Sequence, residues 1–81
     1  MMKSRGGRSR DFAVCIHNGD YRLDLVVGKI YRVLSPKRHD RPSDIRVIDE
    51  SGEDYLYLRN WFVPVALPAK AKRALVASGR T

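Results

Sequence analysis

The sequence has very little cysteine and no long hydrophobic run. Its single cysteine, Cys15, cannot form an internal disulfide, which excludes the class of small secreted domains that disulfides stabilise. The apolar run near the N-terminus, residues 12–16, is shorter than the roughly 7–15 residues of a signal-peptide core and the roughly 20 of a membrane span. We therefore expect a cytoplasmic protein that makes no contact with a membrane.

The sequence also lacks any group of residues that specifies a reaction. Cys15 and His17 share one face of a predicted strand, but two ligands are too few for a closed zinc site. No third residue is placed to orient them as a nucleophile and its base. Four acids flank one predicted turn, where we expect them to be solvated rather than catalytic: Asp49, Glu50, Glu53 and Asp54. The sequence therefore predicts no enzyme, no cofactor and no metal site.

Positive charge is in excess, and it is concentrated at the two ends of the chain. The formal net charge is +7, from sixteen basic and nine acidic residues. Residues 1–10 and 68–81 each carry four basic residues and no acid, whereas residues 11–67 carry eight basic and nine acidic residues. This distribution predicts a near-neutral globular unit over 11–67, a disordered basic tail over 1–10, and a short basic helix and tail over 68–81.

Short apolar runs between turn residues predict an all-β unit followed by one helix. The predicted strands are 11–17, 28–35, 44–49, 53–58 and 61–67, and the helix is 68–78, with Pro68 at its first position and Gly79 beyond its end. The turn between the third and fourth strands needs a residue with positive φ, which predicts that conformation for Gly52. The residues expected to be largely buried are Val14, Ile16, Val33, Val47, Tyr57 and Phe62.

Two segments resemble a known family. They are Gly-Lys-x-Tyr-x-Val at 28–33 and Val-Ile-Asp-Glu-Ser-Gly-Glu-Asp-Tyr-Leu-Tyr at 47–57, and they are similar to segments of short bacterial SH3-like barrel proteins of unassigned function. The resemblance covers roughly residues 11–67 and implies a small five-stranded SH3-like barrel. Because this fold hosts many unrelated roles, the resemblance carries little information about function.

The leading functional hypothesis is a non-catalytic binding module that contacts RNA or single-stranded DNA, or a nucleoprotein complex, through its basic ends. Lysine and arginine neutralise phosphates and release counterions, and exposed tyrosines can stack on unpaired bases. The residues predicted to contact nucleic acid are Arg5, Arg8, Arg10, Lys37, Arg38, Arg41, Lys70, Lys72 and Arg73.

The alternative hypothesis is a protein-interaction module that uses an aromatic face of the barrel. Its predicted contact residues are Tyr21 in the first long loop, Tyr55 in the fourth strand and Trp61 at the following bend. The first-strand motif Ala-Leu-Tyr-Asp-Tyr of peptide-binding SH3 domains is absent, since Phe-Ala-Val-Cys-Ile stands at 12–16. A competing interpretation is that these large rings only pack in, or cap, so small a fold.

Overall fold

The computed structural model describes residues 11–77, in which five antiparallel strands form one sheet and a short helix follows. The elements are β1 (Asp11–Cys15), β2 (Ile30–Leu34), β3 (Asp44–Ile48), β4 (Asp54–Leu58), β5 (Phe62–Val65) and α1 (Ala69–Ala77). One 3₁₀ turn, Arg59–Trp61, joins β4 to β5. The predicted number, order and type of elements are confirmed, with every strand shorter than expected. The tail predicted for residues 1–10 and the helix end predicted at Gly79 lie outside the described residues.

The strands lie in the order β4-β3-β2-β1-β5, and all neighbouring strands are antiparallel. The first strand of the chain is therefore interior, between β2 and the last strand. Strands β4 and β5 are the two edges and do not pair with each other, so the sheet formed by the described residues is not closed. A mostly β fold with a C-terminal helix is thus established, and the barrel stays a prediction.

One face of the sheet carries the hydrophobic core. Residues paired across strands share a face, and the cross-strand pairs Val33–Val47 and Ile45–Tyr57 place their side chains together. The fully buried core consists of Ala13, Cys15, Leu25, Tyr31, Ile45, Val47, Tyr57 and Phe62. The burial predicted for Val47, Tyr57 and Phe62 is confirmed, and Val33 is partly buried against this core.

The prediction for β1 is wrong about which face points to the core. Ile16 is 51% exposed and Val14 is only half-buried, whereas Ala13 and Cys15 are almost completely buried. Ala13 lies directly opposite Tyr31 in the register, so a small side chain faces a large ring. Because interiors are close-packed, the large rings of the neighbouring strands leave room for only small residues at the inward positions of β1.

The other face of β1 is covered at one position, Phe12. Phe12 is 2% exposed and lies beside α1, since it lines a groove together with Ala69 and Val76 of that helix. This helix lies more than fifty residues later in the chain. Alternation along β1 therefore does not distinguish a core face from a solvent face.

Candidate functional site

Four aromatic side chains from three parts of the fold form one continuous cluster, here called the aromatic face: Tyr21, Tyr55, Tyr57 and Trp61. The Tyr57 ring lies at its centre, 5.2 Å from Tyr21, 5.4 Å from Tyr55 and 6.2 Å from Trp61 between ring centroids. Tyr57 is buried, whereas Tyr21 and Tyr55 are 41% and 55% exposed. The structure thus brings together the three aromatic residues predicted as protein contacts and places a fourth ring beneath them.

Local structure holds each ring of this face in place. Tyr55 and Tyr57 are two residues apart on β4 and so point to the same side of the strand. Tyr21 belongs to a compact turn in which the N–H groups of Asp24 and Leu25 both donate to its carbonyl oxygen. Leu25 is fully buried and anchors that turn in the core. The exposed rings are therefore presented by a fixed loop and a strand rather than by free chain.

Gly19 supports Trp61 in a way that the sequence alone does not reveal. Gly19 has φ +54°, and a Cβ atom placed on it would lie 2.7 Å from Cη2 of the Trp61 ring. The ring therefore packs directly on the glycine backbone, with His17 at its edge, 5.2 Å away between centroids. The Asn-Gly-Asp sequence predicts a turn at this position, but only the tertiary structure shows which ring occupies the space.

Substituting Gly19 by alanine is expected to displace Trp61 and to destabilise the protein by about 1–3 kcal/mol, because a left-handed φ and a clash with the ring act together. Trp61 is the only tryptophan, so its fluorescence reports its surroundings directly. The matched control is Gly52→Ala, since Gly52 has φ +87° but a Cβ atom there would meet no neighbour within 4 Å. The control should lose stability without a shift in emission of the folded state. Identical emission spectra for the two folded variants would contradict the proposed contact.

An acidic depression borders the aromatic face. It has a volume of about 270 Å³ and lies between the first loop (residues 16–29) and the β3–β4 turn (residues 49–53). Its lining residues are Tyr21, Asp24, Asp49, Ser51, Glu53, Asp54, Tyr55 and Tyr57. Four carboxylates and three phenol rings thus surround a space that no basic side chain of residues 11–77 lines.

Asp49 corrects the expectation that the turn acids are simply solvated. It is 7% exposed, and its carboxylate accepts hydrogen bonds from the Tyr57 hydroxyl at 2.6 Å and from the Ser51 N–H at 2.9 Å. Burial, reinforced by the hydrogen bond to Asp49, raises the pKa of Tyr57 above its usual range. The hydroxyl of Tyr57 therefore stays protonated and donates to Asp49, which fixes the floor of the aromatic face to the turn.

Glu50 is also a structural residue. Its Oε2 accepts hydrogen bonds from Lys29 Nζ at 2.6 Å and from the Tyr31 hydroxyl at 2.5 Å. The Tyr31 oxygen in turn accepts a bond from the Val26 N–H at 2.8 Å. The bond from Lys29, followed by that from Tyr31, lowers the pKa of Glu50. These contacts attach the turn to the end of the first loop, whose earlier residues Tyr21 and Asp24 line the depression.

Arg46 connects the turn region to the loop between β2 and β3. Its guanidinium donates to both carboxylate oxygens of Asp40, at 3.0 and 2.8 Å, and to Asp54 at 2.7 Å. The hydrogen bonds from Arg46 lower the pKa of Asp40 to about 2, with a smaller contribution from the Lys37 N–H. They lower the pKa of Asp54 as well. Arg46 thus ties the β2–β3 loop to β4 through one charged cluster.

Stability should fall in acid because of this cluster. A carboxyl whose pKa is depressed in the folded state stabilises the protein above its ordinary pKa, and this contribution is lost as the pH falls from about 4 through about 2. Arg46→Met removes the main cause of the lowered pKa of Asp40. We therefore expect urea unfolding at pH 5 and pH 2.5 to show a smaller loss of stability for Arg46→Met than for the natural chain. Equal losses would mean that Arg46 does not set the acid sensitivity.

The basic residues predicted to contact nucleic acid lie in separate parts of the fold. Lys37, Arg38 and Arg41 are exposed in the β2–β3 loop, and Lys37 Nζ lies 4.0 Å from Asp54. On α1, Lys70 and Arg73 are exposed and Lys72 is half-buried. No hydrogen bond or ion pair within residues 11–77 joins the two groups. The other predicted contacts, Arg5, Arg8 and Arg10, lie outside the described residues.

Cys15 and His17 do not form a reactive pair. The thiol of Cys15 is buried and donates to the backbone carbonyl of His17 at 3.3 Å, and burial raises its pKa. The expectation of a buried structural cysteine beside a surface histidine is confirmed. Over residues 11–77, no group of three or more His, Cys, Asp or Glu side chains is arranged to hold a metal ion.

No helix of the described chain is long and apolar enough to cross a membrane. Comparison of the sequence with protein-family models and with curated proteins, and of the fold with solved structures, found no match. The geometry of the aromatic face and its acidic border is therefore the basis for a functional proposal.

Proposed function

We propose that the chain is a non-catalytic protein-interaction module whose aromatic face binds a segment of a partner protein. The observation that carries this proposal is that exposed Tyr21 and Tyr55 rest on the buried ring of Tyr57, which Asp49 holds in place. Aromatic side chains supply large contact area with few rotatable bonds and are enriched at the centres of protein interfaces. Rings held by a scaffold lose little conformational entropy on binding.

We also propose that the fold is an SH3-like barrel related to the short bacterial proteins that the sequence resembles. Two observations support it. The edge strands β4 and β5 are joined by only the single turn Arg59–Trp61, and the Ile16 N–H donates to the Trp61 carbonyl at 2.8 Å. The start of the first loop therefore lies beside that turn. The sheet would have to curve at this point to bring its two edge strands, β4 and β5, together.

A nucleic-acid partner is the competing proposal. The side chains of Arg38, Arg41, Lys70 and Arg73 are exposed and make no hydrogen bond or ion pair within residues 11–77, so they remain able to contact phosphates. The aromatic face does not suit this partner, because carboxylates line the depression beside Tyr21 and Tyr55 and would repel a phosphate backbone. Stacking of bases on these rings is therefore disfavoured.

Selection of a random peptide library displayed on phage against the full chain tests the proposal. Selected peptides, labelled with fluorescein, should bind in polarisation assays and shift the NMR signals of Tyr21, Tyr55 and Trp61. Tyr55→Ala should weaken binding about tenfold or more, because it removes an exposed contact ring without opening the core. The matched control, Val63→Ala, also truncates a half-exposed residue, but Val63 pairs with Val14 on the opposite face. It should leave binding unchanged.

Two results would contradict the protein-interaction proposal. The proposal fails if no peptide binds, or if the peptides bind equally well to Tyr55→Ala. Binding of a labelled single-stranded RNA that ignores Tyr55→Ala would then favour the nucleic-acid proposal. If about six basic groups contact phosphates, the slope of log affinity against log salt should be roughly −4, and removal of residues 1–10 should make it shallower by up to about 3.

A further inference from the structure

We infer that the partner segment is cationic and that one of its arginine side chains enters the acidic depression between the first loop and the β3–β4 turn. This inference rests on the proposed function and specifies the chemistry of its ligand. The proposed ligand is an extended, basic peptide segment. It lies across the exposed rings of Tyr21 and Tyr55 and inserts one guanidinium beside them.

Two carboxylates of the depression are available for a ligand. The side chains of Asp24 and Glu53 make no hydrogen bond or ion pair within residues 11–77. The other two are already engaged, since Asp49 accepts from Tyr57 and Asp54 accepts from Arg46. The free pair belongs to opposite walls, Asp24 to the first loop and Glu53 to the turn. A cation between the walls would therefore meet uncompensated negative charge on both sides.

The rings that line the depression favour the same ligand. Tyr21 and Tyr55 present exposed aromatic surface beside the free carboxylates. A cation over an aromatic face is attracted by the ring quadrupole, and a planar guanidinium also stacks on the ring. The rings therefore add an attraction for cations that is independent of the carboxylates, and they favour arginine over the more strongly hydrated ammonium of lysine.

The size of the depression limits what can enter. Its volume of about 270 Å³ lies just below the range of roughly 300–1,000 Å³ that is usual for small-molecule sites. The depression suits one side chain of a larger ligand whose remaining contacts lie on the neighbouring rings. An acidic or phosphorylated segment is excluded, because it would place like charges together at short range.

The test uses the selected peptides and matched versions in which citrulline replaces arginine, since citrulline keeps the shape of the side chain and removes its charge. We expect the selected peptides to be rich in arginine, and each critical citrulline to weaken binding at least about tenfold. The double variant Asp24→Asn, Glu53→Gln should weaken binding of the arginine peptide similarly and should no longer distinguish it from the citrulline peptide. Because both side chains are free of bonds, the variant should unfold at the same urea concentration as the natural chain.

Asp20→Asn is the matched control. Asp20 is an exposed acid in the same loop that does not line the depression, so its substitution removes one carboxylate charge outside the depression, against two inside it in the double variant. It should leave the discrimination between arginine and citrulline intact. Neutral peptides that bind the aromatic face, respond to Tyr55→Ala and ignore the double variant would overturn the cationic inference while the proposed function stands. Absence of any peptide binding would overturn both.

Discussion

Phe62→Ala is expected to lower the free energy of unfolding by about 3–5 kcal/mol, the range found when a buried phenylalanine is truncated. Phe62 is 5% exposed, and its ring contacts Tyr31 and Tyr57 at centroid distances of 6.4 and 6.3 Å. It also lies opposite Cys15, so its loss would open a cavity where β5 joins the core. Because a chain of this size has a net stability on the order of 5 kcal/mol, the variant should be near the limit of folding.

The adjacent residue provides the control for this prediction. Val63 is 44% exposed and points away from the core, so Val63→Ala should cost less than about 1 kcal/mol. Urea unfolding of the variants, followed by circular dichroism, gives the comparison. A Phe62→Ala protein that unfolds with the midpoint of Val63→Ala would show that the ring contributes no more than a surface residue.

Asp49→Ala should have the second-largest effect, a loss of about 2–4 kcal/mol, because it removes a charged acceptor and leaves the buried Tyr57 hydroxyl without a partner. Glu53→Ala, on the same turn but exposed, should change stability by no more than about 0.5 kcal/mol. Chemical denaturation of the two variants at neutral pH measures this difference. Equal stabilities would indicate that Asp49 is only a solvated turn residue.

A double-mutant cycle separates the Asp49–Tyr57 contact from other effects of the substitutions. In a Tyr57→Phe background there is no hydroxyl to leave unpaired, so Asp49→Ala should be less destabilising by about 1–3 kcal/mol. Strictly additive effects would mean that the 2.6 Å hydrogen bond makes no net contribution to stability. The cycle also tests whether the floor of the aromatic face depends on the turn.

The β3–β4 hairpin is the part of the fold that sequence reasoning predicts best. Its strands are short alternating runs, and the observed ends, Asp44–Ile48 and Asp54–Leu58, lie within one residue of the prediction. Gly52 has φ +87°, which confirms the positive φ expected for it. All the signals here are local, because the turn and the two strands that it joins are adjacent in sequence.

Features that depend on distant parts of the chain are not predictable in this way. Phe12 is buried on the face of β1 that lies beside α1, a helix that follows the last strand, so the pattern of β1 alone misidentifies its inner face. Asp49 and Tyr57 lie in the same hairpin, but Asp49 looks like its acidic neighbours in sequence, so the pattern does not single it out as the acceptor of the Tyr57 hydroxyl. The candidate aromatic contacts could be chosen by residue type, but their common centre at Tyr57 follows from tertiary structure.

The interior position of the first strand sets the order in which this chain can fold. Strands β1 to β4 each pair with a strand that neighbours them in sequence, whereas β5 pairs only with β1, after the chain between Cys15 and Phe62 has closed. That segment is about nine times longer than the turn between β3 and β4, so its closure costs about 2 kcal/mol more entropy. We expect the meander of β1 to β4 to form first and β5 to dock late. Mutations at the β1–β5 ladder should accordingly speed unfolding, whereas those in the hairpin should slow folding.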